Sequence, residues 1–301
     1  MIEPAEGPET RANPLHAMHC LEIWGGNHAV RSGVRVPGID AWVCGETYHG
    51  ESLGGDIHYV STCGGGKIAR FAVADVAGHG QAVAGVAVEL RRLMRKHIDT
   101  VDQSRFVRAL NDEFSRRSSQ GVFATAALAT YYAPTRELIV CLAGHPAPWW
   151  YRSRLDRWQP LEPASESEPS PSAARAPAGA KRLANLPLGI VAPTEYEQFS
   201  VTLDPDDLVL IYTDGVVEAE SPEGEMLGPE GLRRMLEQSD PHRPATLSAG
   251  LLERINRFRG AKPAEDDQTL ILLHHTAAGP RPPKLLELPT VAAKMLGLLR
   301  V

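Results

Sequence analysis

Four acidic positions stand where apolar runs meet glycine or a second acid. Asp56 follows Gly54-Gly55, and Asp75 closes the run Arg70-Phe71-Ala72-Val73-Ala74 ahead of Val76-Ala77-Gly78-His79-Gly80. Asp214 ends Leu208-Val209-Leu210-Ile211-Tyr212-Thr213 ahead of Gly215, and Asp266-Asp267 opens Gln268-Thr269-Leu270-Ile271-Leu272-Leu273. An ionised carboxylate at the end of a buried strand is costly unless a cation or dense hydrogen bonding compensates it. Strand ends hold several such groups rigidly at one rim of a sheet, and neighbouring glycines let backbone carbonyls approach a ligand. Carboxylate, carbonyl and water oxygens suit hard cations such as Mg²⁺ or Mn²⁺, and no Cys/His cluster points to zinc. An Asp-Gly pair taken singly is also an ordinary turn signal. That reading explains any one of these sites well and explains their recurrence in one chain less easily.

Other residues that could do chemistry have simpler readings. Cys63-Gly64-Gly65-Gly66-Lys67 superficially resembles a phosphate loop, but it lacks the long glycine spacing and the Ser/Thr after the lysine, so it reads as a hairpin turn. The basic run Arg91–Lys96 reads as a solvated helix face, and docking of an acidic partner is its second reading. Cys20, Cys44, Cys63 and Cys141 are far apart without CxxC spacing, as expected of buried thiols in a reducing compartment.

The elements that must position the acids can be read from periodicity. Strands are predicted at 41–44, 57–62, 68–75, 122–132, 138–143, 149–152, 199–203, 208–213 and 269–274. Short turns at 63–67 and 133–135 favour antiparallel hairpins over βαβ crossovers. Helical spacing links Val83, Val86, Ala87, Leu90 and Met94, then Phe106, Val107, Leu110 and Phe114. It returns at Leu232, Met235 and Leu236 and at Leu247, Leu251, Leu252, Ile255 and Phe258. Grouped in this way, strands and helix pairs imply an α+β fold in layers. Residues 1–20 are expected to be a flexible lead-in and 21–276 one domain. Within it, the Pro-, Ser- and Ala-rich stretch 163–181 is expected to be disordered, and 277–301 a Pro-rich tail with a short apolar helix. The stretch Leu21–Asn27, including Trp24-Gly25-Gly26, has no assigned role.

The formal charge of -6 disfavours a nucleic-acid partner. No apolar run approaches the roughly 20 residues that span a bilayer, and the acidic N-terminus does not resemble a secretory signal, so a cytoplasmic location is expected.

Six segments occur in a telling order: GGD at 54–56, ADVAGHG at 74–80, LAGHPAPWW at 142–150, LPLGI at 186–190, YTDGVVEAESPEGEMLG at 212–228 and DDQT at 266–269. Together they resemble the PPM-type metal-dependent protein serine/threonine phosphatases, in the bacterial branch typified by SpoIIE. The resemblance spans about Gly54 to His274. It implies a four-layer sandwich of two antiparallel β-sheets flanked by helices, with two Mn²⁺ or Mg²⁺ ions at one edge. It also implies that Asp56, Asp75, Asp214 and Asp266 are carboxylate ligands, with Asp75 bridging and the Val76 carbonyl as a further ligand. Asp267 is the alternative to Asp266. The implied reaction is in-line attack on a phosphoserine or phosphothreonine ester by a water deprotonated between the two cations, without a phosphoenzyme. His79 could protonate the leaving oxygen or simply fix its turn, and His145 reads as a loop-fixing residue. The expected partner is a phosphoprotein, such as an anti-sigma-factor antagonist in bacterial signalling; the oligomeric state is left open. A pseudophosphatase that only binds partners and a small-metabolite phosphatase remain as alternatives. The sequence departs from the branch after GGD, where Ile57-His58-Tyr59 replaces a run with a second Asp.

Overall fold

The computed structural model describes residues 15–63, 66–78, 80–98, 100, 102–117, 121–163, 184–260 and 262–279. In chain order its strands are β1 (His16–Ala17), β2 (Ile23–Gly26), β3 (Val30–Val36), β4 (Ile39–Glu46), β5 (Ile57–Cys63), β6 (Ile68–Val76), β7 (Ala124–Tyr132), β8 (Glu137–Ala143), β9 (Trp149–Arg152), β10 (Arg157–Pro160), β11 (Gln198–Thr202), β12 (Leu208–Tyr212) and β13 (Gln268–His275). The helices are α1 (Gln81–Lys96), α2 (Gln103–Arg117), α3 (Asp214–Val217), α4 (Gly228–Glu237) and α5 (Pro244–Arg259).

The strands form two sheets, one ordered β1-β3-β4-β13-β12-β9-β10 and the other β11-β8-β7-β6-β5-β2. Apart from the short parallel pairing of β1 with β3, neighbouring strands run antiparallel. Three apolar cores separate four layers. Val34, Ile39, Val43, Phe71, Val73 and Ile271 pack between the sheets. Ala72, Ala74 and Leu128 meet α1 and α2 through Leu90, Phe106 and Leu110. Leu210, Leu270 and Leu272 meet α4 and α5 through Leu232, Leu251 and Ile255. The expected four-layer sandwich is therefore the fold.

The central strands are apolar on both faces because each feeds two cores at a two-residue period. In β6, Ala69, Phe71 and Val73 enter the seam between the sheets, while Ala72, Ala74 and Val76 face the helices. Each fully buried Phe or Ile contributes about 1.5–3 kcal/mol, so the seam is held by many such increments. The predicted hairpins are present: Cys63 pairs with Ile68, and Tyr132 with Glu137. Residues 16–18, expected to lie in the flexible lead-in, belong to the fold: His16 and Ala17 pair with β3 and Met18 is buried. The expected disorder at 163–181 and the apolar helix of the tail lie outside the described residues, apart from Pro163 and 277–279 at their margins.

Candidate metal centre

The acidic residues meet where the strand ends of both sheets converge. Strands β5 and β13 begin at this rim, and β6 and β12 end there. The two-residue period also decides which way the carboxylates face. Asp75 follows Phe71 and Val73 on the seam face. Carried one residue beyond each strand, the same count aligns Asp56 with Val60, Asp267 with Ile271 and Thr213 with Ile211, all on the seam side.

Asp267 is buried, at 2% exposure, and its carboxylate is consumed by backbone donors. Tyr48 N–H donates to Oδ1 at 2.7 Å, and Gly55 and Asp56 N–H donate to Oδ2 at 2.5 and 3.4 Å. A Cβ on Gly54 would overlap both carboxylate oxygens, and one on Gly55 would lie 2.9 Å from the Val76 carbonyl oxygen. The two glycines therefore let the Gly54–Asp56 loop wrap Asp267 on one side and approach the end of β6 on the other. The Thr213 hydroxyl donates to Asp56 Oδ2 at 2.8 Å and accepts from Thr269 N–H at 2.9 Å. Among the described residues, Asp56 Oδ1 is buried with no hydrogen-bond partner.

The second pair of acids sits beside the first. Asp214 Oδ1 accepts from Gly215 N–H at 3.1 Å, and Gln268 Nε2 donates to the Gly215 carbonyl at 2.9 Å. A Cβ on Gly215 would overlap the Asp267 carbonyl oxygen, so glycine lets this turn press against Asp266-Asp267. Asp266 Oδ1 accepts from Asp267 N–H at 2.8 Å. Next to it lies a hollow of about 220 Å³ lined in part by Glu218, Arg259, Lys262 and Asp266.

Crowding of acids at a desolvated rim raises their proton affinities. Burial, then the charges of Asp75 and Asp267, push Asp56 well above the usual carboxylate range, and the Thr213 and Thr269 hydroxyls counter this in part. Burial, followed by Asp214, Asp266, Asp267 and Glu218, pushes Asp75 up to about 8. Burial also raises Asp266 to about 6, with Asp267, Asp214 and Glu218 adding to the rise against the Asp267 amide. Glu218 is raised by burial and by Asp214.

The electrostatics thus join Asp56, Asp75, Asp214, Asp266 and Asp267 into one field. His79 lies outside the described residues. Among the described residues no three His, Cys, Asp or Glu side chains close on one metal-ion position. A cation here would take one or two carboxylates and complete its shell with carbonyl and water oxygens, the usual habit of Mg²⁺. The unsatisfied Asp56 oxygen, the all-oxygen donor set and the excess negative charge fit a hard divalent cation. His145 is buried, its Nδ1 lies 2.8 Å from the Thr125 hydroxyl, and burial lowers its pKa to about 4. Burial thus favours the neutral ring, and the Thr125 contact is compatible with a loop-fixing role. Sequence reasoning missed Glu218, Thr213 and Tyr48. Glu218 was findable four residues after Asp214, on the same face of a helical turn. The Thr213 and Tyr48 contacts span 157 and 219 residues and leave no local signal.

These shifts predict a pH dependence of stability. In the folded chain Asp75 has a pKa of about 8 against an ordinary 3.8, so between those values the folded state holds more protons than the unfolded one. The contribution of this cluster therefore improves as pH falls from about 8 and is lost as pH rises through the folded value. In chelator, the thermal midpoint should increase as pH is lowered from 8.5 to 6, and excess Mn²⁺ should flatten or reverse that slope. A midpoint in chelator that falls steadily over this range would contradict the predicted repulsion.

A family profile described as Stage II sporulation protein E (SpoIIE) matches residues 65–166 and 174–276, more than half of the chain. No curated protein sequence matches it. Three solved structures illustrate the likeness in fold. The RsbU and RsbW domains of Rv1364c from Mycobacterium tuberculosis are 21% identical, with 96% of this chain and 71% of that one covered and a TM-score of 0.62. The PP2C phosphatase domain and a regulatory-domain fragment of SpoIIE from Bacillus subtilis are 18% identical, with 84% and 70% covered and a TM-score of 0.63. The catalytic domain of the serine/threonine protein phosphatase PstP, in complex with 2 manganese ions, is 17% identical, with 78% and 97% covered and a TM-score of 0.52.

Proposed function

The chain belongs to the SpoIIE family of PP2C-type protein phosphatases, and on that premise we propose that it hydrolyses phosphoserine or phosphothreonine esters of a partner protein. Two divalent cations, Mn²⁺ or Mg²⁺, would be held by Asp56, Asp75, Asp214 and Asp266 with the Val76 carbonyl. The observation that carries this reading is the buried, unpartnered Asp56 Oδ1 within a field of acids drawn from both sheets. The manganese complex of PstP supports the same class of cofactor.

When bound, such cations supply Lewis-acid activation of water and neutralise charge on the phosphoryl oxygens. The chain supplies the positioning. Asp267 spends its oxygens on the Tyr48, Gly55 and Asp56 amides and so fixes the loop carrying Asp56. That favours Asp266 over Asp267 as the ligand. Thr213 orients one oxygen of Asp56 and leaves the other for a ligand. The hollow beside Asp266, lined by Arg259 and Lys262 as well as acids, is of a size to take a side chain of the substrate. Burial raises the Cys44 thiol and pushes that of Cys141 up to about 12, so neither supplies a thiolate nucleophile at neutral pH. Among the described residues no helix is long and apolar enough to cross a membrane. A cytoplasmic phosphoprotein of bacterial signalling, such as an anti-sigma-factor antagonist, is the proposed substrate class.

Purified chain with Mn²⁺ should hydrolyse an aryl phosphate and, faster, phosphoserine or phosphothreonine peptides, and chelation should abolish both. Asp214→Asn should lower kcat/KM by roughly 10²–10³-fold. Activity that survives chelation, or an Asp214→Asn variant as active as the parent, would refute the proposed site.

A further inference from the structure

The stretch before β3 has an unexpected bearing on the rim. Strand β2 pairs with β5, the strand that follows Asp56, in the register Gly25↔Tyr59 and Gly26↔His58. Gly25 has φ +149, and a Cβ there would overlap the His58 carbonyl oxygen, so the backbones approach closely only because the residue is glycine. This delivers Asn27 to the loop that carries Asp56. Asn27 is only 4% exposed. Its carbonyl accepts from Gly54 N–H at 2.8 Å, and its Nδ2 donates to the Gly54 carbonyl at 3.0 Å. The same Nδ2 donates to the Ala84 carbonyl in the first turn of α1 at 3.4 Å.

Two loops that converge on the rim are thereby tied together. One is Gly54–Asp56; the other joins the end of β6, with Asp75 and Val76, to α1. Each is rich in glycine. Asp267 holds the first loop from the seam side, and Asn27 holds it from the sheet edge, gripping Gly54 through both its N–H and its carbonyl.

We propose that Asn27 is a positioning residue for the cation site, fixing the spacing between Asp56 and the Asp75–Val76 strand end by locking the Gly54 loop to α1. The inference rests on the reading of this rim as a metal centre. Residues that hold a metal's ligands in place commonly change affinity 10–100-fold when altered, without touching the ion. Asn27 has the features of such a residue: it is buried, its side-chain amide nitrogen donates to two backbone carbonyls, and it lies outside the set of acids.

The test is calorimetric Mn²⁺ titration of the full chain, with thermal midpoints recorded in chelator. Asn27→Asp keeps the volume but cannot donate to two carbonyls; it should weaken Mn²⁺ binding about 10-fold and raise the Mn²⁺ concentration needed for half-maximal activity by a similar factor. Val43→Ala, in the core between the sheets and away from the rim, serves as the control, with a lowered midpoint and unchanged Mn²⁺ affinity. Should Asn27→Asp fail to fold, Asn27→Ser is read in the same way. Wild-type affinity in a folded Asn27 variant would overturn the inference and leave the metal centre standing. Failure of the parent chain to bind Mn²⁺ would overturn both.

Discussion

Asp75→Asn is expected to lower Mn²⁺-dependent hydrolysis of a phosphopeptide by roughly 10³-fold or more without unfolding the chain. Asp75 is the last acid of β6 and faces the seam, where it feels Asp214, Asp266, Asp267 and Glu218. Asparagine keeps the shape and removes a charge that its neighbours repel. The thermal midpoint in chelator should therefore rise at pH 8, while the stabilisation conferred by Mn²⁺ should shrink. Opposite signs for stability and activity are the signature of a residue held in place for function. If Asp75→Asn loses activity only in proportion to a loss of folded protein, the residue is structural and the assignment of a bridging ligand fails.

The second large effect separates two adjacent acids. Asp266→Ala should remove most activity and cost little stability, because among the described residues its carboxylate accepts a single hydrogen bond, from the amide of the next residue. Asp267→Ala should behave in the reverse order of cause. It strips the acceptor from the amides of Tyr48, Gly55 and Asp56 at a site shut off from water. Hydrogen bonds to a buried charge and the orphaned donors together put the cost at about 3 kcal/mol, or roughly 6–12 °C in thermal midpoint for a domain of this size. Its activity loss should follow from loosening of the Asp56 loop. Equal stability losses in the two variants would mean that their roles are not divided in this way.

Much of the fold was legible because the central strands answer to two cores. A run such as Leu208–Tyr212 is apolar throughout, and the short turn between Ile57–Cys63 and Ile68–Val76 betrays an antiparallel pair. The strands that escaped prediction lack that signature. Strand β2 is half glycine, β3 alternates arginine with valine around Gly33, and β10 ends in proline at the sheet's edge. What makes them strands is the neighbour they pair with, a fact of tertiary structure. The metal centre divides in the same way. Carboxylates at the ends of apolar runs can be seen residue by residue, and the order of motifs gives them a chemistry. Their supports cannot be seen so: Thr213 reaches Asp56 from the other sheet, and Asn27 reaches Gly54 from a segment whose composition suggested nothing.

The rim draws its acids from both sheets, Asp56 and Asp75 from the six-stranded one and Asp214, Asp266 and Asp267 from the seven-stranded one. Left to themselves, like charges there push the two halves of the sandwich apart at one end, while the apolar seam holds them together along the rest of its length. Any ligand that cancels those charges acts as a rivet between the halves. Occupancy of the centre and closure of the sandwich then become one linked equilibrium.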